Sequence, residues 1–204
     1  MTLLINFEEL LQGRKLLIFD FDGTIADTTP LHAEAFAEVL APLGIVFDYH
    51  SIAGLKTQDA MKRCLADAQY FLSEPQIDEL VQRKQQSVRK MISRELHPLP
   101  SVDDFLRRVR SNFRLSMVTS GSRGTVNLSL DKLGYTGWFD PLVCADEVHN
   151  AKPDPEGFLK VLHLTGIPAD QALVFEDSEA GFEAARRAGL AYIDAAQLHR
   201  KGFK

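Results

Sequence analysis

The sequence has little cysteine. Cys64 and Cys144 are the only two in 204 residues, far apart and outside any CxxC pair, which argues against a disulfide framework and a structural zinc site. It has no apolar run approaching about 18 residues, so no transmembrane helix is expected. It has no excess of basic charge. At a net charge of −5 a broad nucleic-acid-binding surface is not expected. Residues Met1 to Leu11 lack a basic segment and a small-residue cleavage site, so a secretory leader is not expected. Their apolar positions 3, 4, 7, 10 and 11 fit a short amphipathic helix instead. Repeats and low-complexity tracts are missing too. The expectation is a cytoplasmic chain, monomer or weak dimer, with no nucleic-acid or membrane partner. What is present is ordinary: 45% apolar and 25% charged residues, in a length that suffices for one good core and a small second one.

The most informative stretch is Lys15 to Thr24, KLLIFDFDGT. The apolar run reads as a buried strand. It ends in Asp20 and Asp22, then Gly23-Thr24. Residues i and i+2 of a strand share a side, so both acids are expected to lean into one crevice. Crowded carboxylates need a cation or a shared proton, and Mg²⁺ favours carboxylate and phosphate oxygens. The local expectation is a metal-dependent acid/base or nucleophile site.

After Asp22 the pattern turns helical for some 70 residues. Thr29-Pro30 reads as a helix start with Thr29 as cap, and Gly44 ends that stripe. Further helices are expected over Thr57–Gln69 and Glu74–Arg94, then His97-Pro98-Leu99-Pro100 breaks the chain. From Ser101 strands and helices alternate. Strands are expected at 114–118, 141–144, 172–175 and 191–194, with helices at 101–111, 122–133, 154–165 and 179–188. Alternation argues for a parallel sheet covered on both faces. The expected organisation is an α/β, Rossmann-like doubly wound core of residues 1–26 and 98–204. An α-helical cap of residues 27–97 is inserted in it, with hinges near 25–27 and 97–100.

Each later strand ends in polar groups. Thr119-Ser120-Gly121-Ser122 offers a hydroxyl and N–H groups to an anion at a helix start, or Ser122 simply caps that helix. Lys152 stands before Pro153-Asp154-Pro155, able to aim inward or to lie on the surface before a helix capped by Asp154. Glu176-Asp177-Ser178 offers two acids that repel without a cation, or an ordinary N-cap at Asp177 or Ser178. In a parallel sheet all these ends meet at one edge. The assembled inventory is nucleophile or base, acid, anion cradle, ammonium and metal ligands, which matches phosphoryl transfer.

With these residues in order (Asp20-Phe21-Asp22-Gly23-Thr24, Thr119-Ser120-Gly121, Lys152-Pro153, Glu176-Asp177), the chain resembles the haloacid dehalogenase-like hydrolase superfamily. The helical insert resembles the cap of its β-phosphoglucomutase-like phosphatase branch. The resemblance implies a Mg²⁺-dependent phosphatase of a small phosphorylated metabolite. Asp20 would take the phosphoryl group, and Asp22 would act as general acid and then base. Asp20, the backbone carbonyl of Asp22, and Asp177 would hold Mg²⁺, with Glu176 a further ligand or a support. Ser120, Gly121 and Lys152 would bind the phosphoryl oxygens. Dehalogenation is disfavoured, because a departing halide needs no proton from Asp22.

The cap is expected to choose the substrate. Asp27-Thr28-x-x-x-His32 resembles the cap entrance of sugar-phosphate-acting members, where a His assists the acid/base; His32 also reads as an exposed residue of a first helical turn. Gly54 to Asp59 resembles the specificity loop. Where β-phosphoglucomutases place an Arg for a distal phosphate, this chain has Thr57, beside Lys56, and Gly124 replaces an Asn. Both departures favour a phosphatase over a phosphosugar mutase, the alternative reading. Arg123 and Lys84 are further candidates for an anionic substrate. A non-catalytic binding protein on the same scaffold is the alternative of another class, and the intact Asp20, Asp22, Lys152 and Asp177 argue against it.

Overall fold

The computed structural model describes residues 7–195, apart from the side chains of Phe7 and Glu8. Positions 3 and 4 of the expected N-terminal helix lie outside the described residues. A short helix, α1 (Phe7–Leu11), does precede the first strand, and Leu10 and Leu11 pack on the main apolar cluster.

The first strand, β1 (Leu16–Phe19), is buried along its whole length. Alternate side chains of a strand face opposite ways. Leu17 and Phe19 enter one apolar cluster, Leu16 and Ile18 another. That double burial is why the run is unbroken in its hydrophobicity. The other strands are β2 (Arg114–Val118), β3 (Leu142–Val143), β4 (Ala172–Glu176) and β5 (Ala191–Asp194). All pair in parallel in the order β3-β2-β1-β4-β5. Phe19 lies opposite Phe175, their rings stacked with centroids 4.6 Å apart.

Between β1 and β2 run α2 (Thr29–Leu40), α3 (Thr57–Asp67) and α4 (Glu74–Glu95), then α5 (Val102–Val109). Apolar residues of the first three build their own cluster around Phe36, Leu40, Met61, Cys64, Ile77 and Leu80. This is the helical insertion. Its last helix does not stay within it, since Val88 and Ile92 of α4 join the main cluster beside Phe21 and Ile25. After β2 come α6 (Arg123–Leu133), α7 (Glu156–Thr165) and α8 (Glu179–Arg187). Residues of α5 and α6 cover the sheet face of Leu17, and those of α7 and α8 the face of Leu16. Among the described residues no helix is long and apolar enough to cross a membrane.

Several element ends differ from expectation; α5 and β3 are each shorter than read. The residue capping α2 is Thr28, one position earlier than read, and its side chain makes no cap bond. The start of α7 is Glu156 rather than Asp154, and the Asp154 carboxylate accepts the Glu156 N–H at 2.9 Å. α3 ends at Asp67, short of Gln69, which takes a left-handed φ of +52°.

Candidate active site

Asp20 follows β1 directly. Its N–H donates to the Phe175 carbonyl at 2.9 Å, so the sheet ladder carries it into the interior, where it is 6% exposed. Glu176, the last residue of the neighbouring β4, is 1% exposed. Lys152 joins the two: its Nζ donates to Asp20 Oδ1 and Glu176 Oε2, both at 2.6 Å, and to the Val118 carbonyl at 3.0 Å. Lys152 therefore points inward, although its sequence position also allowed the surface. Burial alone would lower its pKa, but the Asp20 and Glu176 charges prevail and push it up. Glu176 is held further by Ser178, whose Oγ donates to Oε1 at 2.8 Å while accepting the Gly181 N–H at 3.1 Å as a helix cap. Gly181 leaves the room this needs, since a Cβ there would stand 1.9 Å from the Glu176 carboxyl carbon.

Asp177 completes an acidic cluster. One oxygen each of Asp20, Glu176 and Asp177 lie within 4.8 Å of one another. Thr24 Oγ1 donates to Asp177 Oδ1 at 3.1 Å. Burial raises the Asp20 pKa well above its ordinary value, and Glu176 raises it further against the pull of Lys152. Asp177 is open to the cleft yet stripped of part of its water by the walls. That loss, with repulsion from Glu176, pushes it up to about 7. One ammonium does not balance three carboxylates here. The donor set, all oxygen and short of positive charge, fits a hard divalent cation.

Asp22 stands apart. Gly23 turns the chain with φ +76°, and the Asp22 carboxylate faces the start of α2. There it accepts the Thr28 hydroxyl and lies 3.9 Å from His32 Nε2. His32 Nδ1 is in turn 2.8 Å from Nζ of Lys84, a residue of α4 that is 1% exposed and whose ammonium lies 4.6 Å from the centre of the Phe36 ring. Burial pulls His32 down to about 4, with Lys84 adding to the effect and Asp22 opposing it. Burial likewise pulls Lys84 down to about 8.

A cleft of about 120 Å³ opens between these groups. Its core side carries Asp20, Asp22, Ser120, Gly121, Lys152, Glu176 and Asp177, and its other side His32, Thr57 and Lys84. Ser120 and Gly121 follow β2, but the Gly121 N–H, expected to face an anion, donates to Thr119 Oγ1 at 3.0 Å. Two candidates are directed elsewhere. Lys56 Nζ donates to the carbonyls of Val148 at 2.8 Å and His149 at 3.3 Å. Arg123 donates to the Leu142 carbonyl at 2.6 Å and pairs with Glu147. Arg123 therefore belongs to the α6 framework and not to the cleft.

Sequence reasoning passed over Thr24 and Thr28, whose hydroxyls bond Asp177 and Asp22, and Tyr49 and Gln85, which line the cleft. Thr24 had a signal, since it closes the aspartate motif. Tyr49 and Gln85 had none, because their places follow from how the helices pack.

Fold and cleft together define a class: a parallel α/β protein with an acidic, lysine-bridged site at its strand ends and a helical insertion after the first strand. The chain belongs to the haloacid dehalogenase-like hydrolases, whose family model matches residues 17–195. Within them it falls in the branch of β-phosphoglucomutase, CbbY and phosphoglycolate phosphatase. It is 34% identical over 184 residues to the fructose-1-phosphate phosphatase YqaB of Escherichia coli K12, covering 89% of this chain and 96% of that one. It is 31% identical to a phosphorylated carbohydrates phosphatase of Thermotoga maritima, covering 87% and 82%. The crystal structure of CbbY from Rhodobacter sphaeroides in complex with phosphate matches with a TM-score of 0.81 at 26% identity, covering 89% of this chain and 85% of that one.

Proposed function

We propose that this protein is a Mg²⁺-dependent phosphatase acting on the phosphate monoester of a small sugar, through transient phosphorylation of Asp20. The observation that carries the reading is the buried Asp20, bridged by Lys152 to Glu176 and open to the cleft. An Asp20 oxygen attacks phosphorus, and the bond to the sugar oxygen breaks. Asp22, poised at the cap entrance by Thr28 and His32, gives the leaving oxygen its proton. Water then attacks the same phosphorus, Asp22 takes the proton from it, and the bond to Asp20 breaks, releasing phosphate. Lys152 and the Ser120 hydroxyl hold the phosphoryl oxygens. Asp20, Asp177 and the Asp22 carbonyl would hold Mg²⁺, with Glu176 behind them. Held there, the ion would offset the repulsion between a carboxylate nucleophile and a phosphate.

The sugar-phosphate class is supported by the relatives, among them phosphatases of fructose 1-phosphate and of phosphorylated carbohydrates. In this reading residues 27–97 act as the cap over a core of residues 1–26 and 98–204. Asp20→Asn is expected to lower phosphate release by at least about 10³-fold while the circular dichroism spectrum stays that of the native protein. Substantial remaining turnover would refute the nucleophile. Release of no phosphate from a broad panel of esters with Mg²⁺ would favour a non-catalytic role.

A further inference from the structure

Four carboxylates face the cleft, from Asp20, Asp22, Glu176 and Asp177, against two ammonium groups, from Lys152 and Lys84. Neither lysine stands free. Lys152 lies between Asp20 and Glu176, and Lys84 between His32 and the Phe36 ring. A divalent cation would offset the acidic excess, and the transferring phosphoryl group would restore it. The remaining cap-side wall is uncharged, formed by Ile52, Thr57, Ala60 and Gln85 with the Tyr49 phenol. A second phosphate would meet no cation there and would be repelled by what lies below.

The cationic residue next to this wall, Lys56, faces away from the cleft. It reaches across to the carbonyls of Val148 and His149, four and three residues ahead of Lys152. That segment is held by two further side chains. Lys160 donates to the Glu147 carbonyl at 2.7 Å, and the Glu156 carboxylate accepts the N–H groups of His149 and Asn150, both at 2.8 Å. The contact thus joins the loop before α3 to a hydrogen-bonded segment of the core beside the phosphoryl site.

Taking the phosphatase reading as its basis, we infer that the site selects phosphate monoesters whose remainder is uncharged, and that Lys56 is the positioning residue that holds the neutral cap wall over them. A bridge made by the protein takes the place of one that a second anionic group of the ligand would otherwise supply. The free energy of seating the cap then does not depend on ligand charge, and hydroxyl groups facing Thr57, Gln85 and Tyr49 decide the fit.

The test compares hexose monophosphates with the bisphosphates that carry the same ester, using the intact enzyme with Mg²⁺. The monophosphate is expected to lead by about tenfold or more in kcat/KM, mainly through KM. Thr57→Arg should narrow that gap. Lys56→Met should raise KM for the monophosphate by about fivefold with kcat within about twofold, and Lys56→Arg should recover most of it. Bisphosphates hydrolysed as well or better would overturn the inference, most directly if Lys84→Met removed that activity and so showed Lys84 to be the anion receptor. Unchanged kinetics in Lys56→Met would overturn the role of Lys56. Hydrolysis of neither kind of ester would sink the phosphatase reading and this inference with it, whereas equal hydrolysis of both sinks only the inference.

Discussion

Asp177 reaches the acidic cluster because residue 23 has no side chain. A Cβ on Gly23 would stand 2.0 Å from Asp177 Oδ2, and the residue also turns the chain with φ +76°. Gly23→Ala therefore acts twice. The left-handed backbone should lose about 1–2 kcal/mol of stability, and the displaced carboxylate should weaken Mg²⁺ binding by about 10–100-fold. Thermal shift against Mg²⁺ concentration separates the two effects, as a lower starting Tm and a later midpoint. An unchanged midpoint would mean that Asp177 is not a ligand. At this scale much of the site was legible. Asp20, Ser120, Lys152, Glu176 and Asp177 stood at strand ends that a parallel sheet gathers along one edge, and each lines the cleft. The two acids of the first motif were read as a pair sharing one side, which strand periodicity suggests. Both do line the one cleft, and Asp22 lies nearer α2, where its carboxylate meets Thr28 and His32.

Between elements, α2 and α4 meet through His32 and Lys84. Burial holds the folded His32 pKa at about 4, below the usual value of 6.5. Between those values the unfolded chain carries a proton that the native imidazole lacks. The stability that His32 contributes in its neutral form is present above pH 6.5 and is lost as pH falls toward 4, at up to about 1.4 kcal/mol per pH unit. Lys84 and Asp22 are the charged groups facing the ring, with opposite effects on it. Urea unfolding of wild type and His32→Asn from pH 7 to pH 4 should show the two stabilities drawing together, or crossing, as pH falls. Parallel curves would refute a buried neutral His32. The helices themselves were legible from apolar period and end signals, including the stops at Gly134 and Gly166. The start of α2 was misplaced by one residue because the Thr28 hydroxyl bonds Asp22 rather than its own helix. Lys84 was visible as a candidate for an anionic substrate. Its partner was not, because the pairing of α2 with α4 is a tertiary contact that no spacing encodes.

Across the whole molecule, α4 ties the insertion to the sheet. At 22 residues it is about 33 Å long. Its Ile77 and Leu80 belong to the apolar cluster of the insertion, and its Val88 and Ile92 to the main cluster. Arg89 of the same helix donates to Thr125 Oγ1 at 3.1 Å, lying so close to Gly124 that a side chain there would collide with it. Loss of packing in the insertion should therefore propagate through α4 rather than stay local. Met61 is fully buried in that cluster, so Met61→Ala should destabilise by about 2–5 kcal/mol. The single tryptophan, Trp138, packs against Tyr135 beside the main cluster and reports on the core alone. Far-ultraviolet circular dichroism reports on all the helices. If α4 couples the two regions, both signals fall in one coincident transition in wild type and move together in Met61→Ala. If the tryptophan transition stays fixed while part of the helical signal melts earlier, the insertion folds as an independent unit and the coupling through α4 is wrong.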